Sequence, residues 1–146
     1  MKEITEDYVS FETAKLLKEK GFDEKCFQYW HEKDNELVHS QSPHPIRNIT
    51  NPCFFGPAAP TLQMAMKWLR EKHHVVIDVC LEDYISEVDG SLTITYTYTI
   101  WYFNRHLSHT GKTDIRYTDA TIDGVEFESY EEAADVALKY SLENLI

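Results

Sequence analysis

Histidine, cysteine and acidic side chains are the residues of this sequence that could do chemistry. His106 and His109 lie three residues apart, and a small hydrolase or metal-dependent enzyme using this pair is one function that the sequence leaves open. A zinc site needs three or four converging ligands, and neither an acidic nor a thiol partner stands at a recognisable spacing from the pair. We therefore expect no bound metal and no cofactor.

A catalytic nucleophile also lacks a recognisable setting. Serine and cysteine catalysis need a base within hydrogen-bond reach, and the chain has no G-x-S-x-G motif. The cysteines Cys26, Cys53 and Cys80 are odd in number and show no C-x-x-C spacing, so we expect them to stay reduced. Asp78 and Glu82 are expected on a solvated sheet face rather than as a catalytic pair. The sequence favours a protein without enzymatic activity.

A long β-hairpin is the central element on which any site would be positioned. Apolar residues take the odd positions of Val75 to Leu81 and the even positions of Leu92 to Phe103, with threonines between the latter. Asp89-Gly90 is a favoured two-residue turn and would make facing residues sum to 179, so that Val79 meets Ile100. Both strands then place their apolar side chains on one face.

Helical spacing and capping residues predict three helices. The first runs from Ser10 to Lys20 and ends at Gly21, the second follows Pro60 from Thr61 to about Lys72, and the third begins at the capping box Ser129 to Glu132. Short strands are predicted at 26–30 and 113–118. We expect an α+β fold in which about three helices pack on one face of a three- to four-stranded antiparallel sheet, in the order α-β-α-β-β-β-α.

The chain is expected to form one domain over residues 1–146. Its length suits a single core, and 42% hydrophobic residues supply enough apolar material. All five prolines lie between Pro43 and Pro60, and the pattern of regular structure is lost from about residue 31 to 59. The sequence therefore predicts a long proline-rich loop there. Loops of this length are generally either functional or disordered.

Charge is unevenly distributed and bears on location and partners. Of the net charge of −11, nearly all belongs to residues 74–146, which hold 4 basic and 14 acidic residues. Nucleic-acid binding through that half is disfavoured, because such binding relies on basic residues. The charged start of the chain and the lack of a long apolar run predict a cytoplasmic protein without membrane contact.

The predicted binding site is the end of the outer hairpin face. Trp101 and Phe103 continue the threonine face from Thr93 to Thr99 and give it an apolar end. Such an end marks either contact with a partner or coverage by a loop, and both interpretations stay open.

Three stretches of the sequence carry a resemblance to known proteins. The segments 59–71 and 130–146, together with 10–22, resemble a group of short uncharacterised bacterial proteins of phage-like or mobile-element context. The resemblance implies that context and no mechanism.

These observations favour a small accessory protein that binds another protein or itself, with a homodimer as one form. The alternative is an acidic inhibitor that imitates nucleic acid and binds a nucleic-acid-processing protein. The enzyme built on His106 and His109 is the third hypothesis.

Overall fold

The computed structural model describes residues 3–52, 55–102, 116–118 and 126–146. It is an α+β fold with three helices, as predicted. In chain order the elements are α1 (Phe11–Glu19), β1 (Gln28–His31), β2 (Glu36–His39), α2 (Leu62–Trp68), β3 (Val75–Ile85), β4 (Leu92–Tyr102), β5 (Arg116–Thr118) and α3 (Tyr130–Asn144). A π-helical turn, Leu69–His73, continues α2.

Each helix begins at a hydroxyl that caps its first turn. The side chains of Ser10, Thr61 and Ser129 accept hydrogen bonds from the backbone N–H of the residue three positions later, at 3.1–3.3 Å. Gly21, with φ of +88°, follows α1 as predicted. Pro60 directly precedes Thr61, the cap of α2.

The predicted order and the single sheet are wrong. The order is α-β-β-α-β-β-β-α, and the strands form two antiparallel sheets, β1-β2 and β3-β4-β5. The additional strand, β2, lies inside the stretch predicted as a loop. Four-residue strands give too short an alternation to be recognised from the sequence.

The rest of the proline-rich stretch is held by hydrogen bonds to β1 and by a buried amide. Residues 55–59 run beside β1, where Trp30 N–H donates to Pro57 O and Ala59 N–H donates to Gln28 O. Buried Asn48 donates to Phe22 O at 2.9 Å and accepts from Ala58 N–H at 3.0 Å. Packing of this stretch therefore comes from polar contacts that hydrophobic periodicity does not show.

The β3–β4 hairpin forms with a register two residues away from the predicted one. Ile77 faces Ile100 and Val79 faces Tyr98, so facing residues sum to 177. A two-residue shift returns every side chain to the same face, and the predicted apolar face is therefore confirmed. The turn differs because Ser86 N–H donates to Ser91 O just beyond the strand ends, which leaves a four-residue loop from Glu87 to Gly90, and Gly90 N–H donates to Ser86 O at 2.9 Å.

The two hairpins share this loop geometry. In the β1–β2 hairpin, Asn35 N–H donates to His31 O at 2.9 Å, again across four residues. The last loop residue is left-handed in both, with φ of 51° at Asn35 and 68° at Gly90. Asparagine and glycine are the residues that adopt this conformation most readily.

The core lies around α3, which packs on both β3 and β4 and also contacts α1 and α2. The side chains that α3 buries are Ala133, Ala134, Ala137, Leu138, Ser141 and Leu142. The prediction that all helices lie on one sheet face is wrong, because α1 packs on α3. Among the described residues, α3 is the helix that packs on both β3 and β4.

Candidate protein-binding site

The predicted site residue Trp101 lies in the three-stranded part of the sheet, at the base of the hairpin. It pairs with Val76 on β3 and with Tyr117 on β5, and its side chain is 38% exposed. Phe103 lies outside the described residues, and so do His106 and His109. The structure therefore describes one of the two residues that the sequence predicts for the site, and a second surface on the same hairpin also exposes apolar side chains.

This second surface is the apolar face of the hairpin beyond the reach of α3. Near the base, Val75, Ile77 and Ile100 are buried on that face. Farther along, the same face is open, and the exposed fractions are 58% for Leu81, 63% for Ile85, 59% for Leu92 and 48% for Ile94. We call residues 81–94 the hairpin tip.

The length of the strands explains why the tip is uncovered. Each strand has 11 residues and so spans roughly 36 Å, whereas the 15 residues of α3 span roughly 22 Å. The helix reaches only to the middle of the hairpin, where Tyr96, the register partner of Leu81, meets Tyr130 at the start of α3 with ring centroids 6.5 Å apart. Strand length compared with helix length is the sequence signal that could have indicated the exposed tip.

The tip combines apolar and acidic side chains and holds no lysine, arginine or histidine. Glu82, Asp83, Glu87 and Asp89 are all exposed. Val88, at the end of the hairpin, is 97% exposed. Asp89 Oδ1 accepts from the Ser91 N–H at 3.0 Å and from the Ser91 hydroxyl at 2.7 Å, which fixes the loop and lowers the pKa of Asp89.

A cleft of opposite charge lies beside α2. It has a volume of about 650 Å³, and its charged lining residues are Glu24, Lys25, Arg47, Lys67, Glu71 and Lys72. Met64 and Trp68 supply its apolar lining. Lys67 pairs with Glu71 at 3.8 Å and Arg47 with Asp23 at 3.6 Å. We call this site the basic cleft.

The pKa shifts of Cys26 and His73 arise from the burial of their side chains. Burial raises the pKa of the Cys26 thiol to about 12, with a further contribution from Glu24. His73 packs on Trp68 with ring centroids 4.5 Å apart, and burial lowers the pKa of its imidazole. Within residues 3–52, 55–102, 116–118 and 126–146, no three histidine, cysteine or acidic residues are grouped as metal ligands.

Comparison of the chain with protein-family models, curated proteins and solved structures finds no match. Among the helices in the described part of the chain, none has both the length and the apolar character to cross a membrane.

Proposed function

We propose that this protein acts as an accessory protein that binds another protein molecule through the hairpin tip. The observation that carries the proposal is the continuity of one apolar sheet face, buried under α3 at Ile100 and open at Leu92 and Ile94. Contiguous exposed apolar surface bordered by polar residues is typical of protein-interaction sites.

The arrangement of the tip also supports recognition by a protein surface. Four large aliphatic side chains of one face are exposed together, and in the described residues β3 has no strand partner on its side away from β4. A partner can therefore bury the apolar face, pair with the strand edge, or do both. The phage-like or mobile-element context remains part of this proposal and adds no mechanism.

A photo-crosslinking amino acid placed in the tip tests the proposal. p-Benzoylphenylalanine at Ile85 or Ile94 should give a discrete covalent adduct when cells that naturally make this protein are irradiated. The matched control replaces Thr93, which is exposed on the opposite face of the same strand, and should give a much weaker adduct. Absence of an adduct from both tip positions, or equal yields from all three, would contradict the proposed function.

A further inference from the structure

We propose that the tip docks into the basic cleft of a second copy of this chain, in a head-to-tail contact. This inference rests on the proposed function and names its partner. It is carried by charge complementarity between two surfaces of the same molecule. The tip has four carboxylates and no cation, whereas the cleft has four cations and two carboxylates.

The apolar parts of the two surfaces also match. Val88 is almost fully exposed between Glu87 and Asp89 at the end of the hairpin. The cleft is lined by Met64 and Trp68 beside its lysines. Val88 can therefore contact Met64 while Glu87 meets Lys25 or Lys72, neither of which has an ion pair within the described residues.

One copy cannot make this contact with itself. Lys72 of the cleft precedes the start of β3 by three residues, so the cleft lies near the base of the hairpin. The tip is about 30 Å away along an antiparallel ribbon that cannot fold back on itself. A symmetric contact between two tips is disfavoured because it would bring eight carboxylates together. The remaining contact is heterologous, and such contacts produce chains or closed rings.

Sedimentation velocity of the purified full chain tests the inference. The mean sedimentation coefficient should rise with concentration up to about 1 mM. The tip variant Glu87→Lys/Val88→Ser and the cleft variant Lys67→Glu/Lys72→Glu should each remain monomeric. Each alters only exposed side chains, and circular dichroism melting checks that both variants fold.

The decisive measurement is a mixture of the two variants. The intact tip of the cleft variant can bind the intact cleft of the tip variant, so an equimolar mixture should form dimers and no larger species. Matched controls make the same charge changes elsewhere: Glu36→Lys/Ile49→Ser for the tip and Lys18→Glu/Lys33→Glu for the cleft. Both controls should associate like the wild type.

Three results would overturn the inference: a monomeric wild type, variants that associate as the wild type does, or a mixture that stays monomeric. A monomeric wild type whose tip still crosslinks to a different protein in cells would overturn only the second copy as partner. Absence of tip crosslinking in cells would contradict the proposed function as well.

Discussion

The carboxylate of Asp135 on α3 accepts two hydrogen bonds from Ser10, the residue that caps α1. The Ser10 N–H donates to Oδ1 at 2.9 Å, and the Ser10 hydroxyl donates to Oδ2 at 2.8 Å. Ser10 Oγ in turn accepts from the Thr13 N–H. A negative charge is favourable at this end of a helix, so the contact joins the two helices and stabilises the start of α1.

Replacement of Asp135 by alanine should therefore destabilise the fold although the residue is not fully buried. We expect a loss of about 1–3 kcal/mol, because two donors lose their acceptor. Asp135→Asn, which keeps one carbonyl oxygen, should lose less. Urea unfolding measures both, and Glu143→Ala, an exposed change on the same helix, should cost less than either. Equal stability of Asp135→Ala and Glu143→Ala would contradict this role.

Gly56 and Gly21 should respond to alanine for different reasons. A Cβ on Gly56 would lie 1.6 Å from the carbonyl oxygen of Trp30, so the backbone of β1 would have to move. We expect a cost of about 3 kcal/mol in the free energy of unfolding. No atom lies within 4 Å of a Cβ placed on Gly21. The loss in the free energy of unfolding for alanine there, about 1 kcal/mol, therefore comes only from its φ of +88°. Thermal or urea melts measure both losses. A smaller loss at Gly56 than at Gly21 would contradict the prediction, because the backbone of β1 would then move at little cost.

The contribution of Asp23 to stability should depend on pH. Its carboxylate accepts from Ile49 N–H at 2.8 Å and from both the N–H and hydroxyl of Thr50, and these bonds, chiefly that from Ile49, lower its pKa. The charged form is thus favoured in the folded state. The stabilisation is complete above the pKa of the unfolded chain, about 3.9, and is lost as pH falls through the lower pKa of the folded state.

Urea midpoints of wild type and Asp23→Ala between about pH 7 and pH 2 test this dependence. The difference between the two proteins should be constant at neutral pH and should shrink below about pH 4. Glu36→Ala changes an exposed carboxylate that accepts no hydrogen bond among the described residues, and it serves as the control. A difference for Asp23→Ala that persists unchanged to pH 2 would exclude the carboxylate as its source.

The Cys26 thiol should be unreactive in the folded protein. It is 3% exposed, and its pKa of about 12 leaves little thiolate at pH 8. In Cys53→Ser/Cys80→Ser, labelling by iodoacetamide should therefore follow the rate of unfolding. Cys80 alone, in Cys26→Ser/Cys53→Ser, should react faster because it is only half-buried, although burial raises its pKa too. Faster labelling of Cys26 would contradict its placement.

Local sequence patterns predicted the helices and strands that are marked by residues within a few positions of one another. Ser10, Thr61 and Ser129 marked the helix starts because a cap bonds three residues away. The alternation through Ile77 and Ile100 predicted the buried face. The Asp89-Gly90 prediction placed the centre of the turn one residue too late and made the loop two residues too short, because Gly90 also suits the last position of a four-residue loop.

Contacts between distant segments could not be predicted in this way. Nothing near Gly56 in sequence indicates the Trp30 carbonyl beside it, and nothing near Asn48 indicates its bonds to Phe22 and Ala58. The candidate site was missed for a related reason. Alternation shows which face of a strand is apolar, but only the position of α3 shows how much of that face is covered.

The bond between Ser10 and Asp135 has a consequence for synthesis on the ribosome. The two residues lie 125 positions apart, so α1 emerges from the exit tunnel long before the carboxylate that completes its cap. The helix on which α1 packs, α3, is also made long after α1. We therefore expect the native fold to form only after most of the chain has been released, with α1 marginal until then.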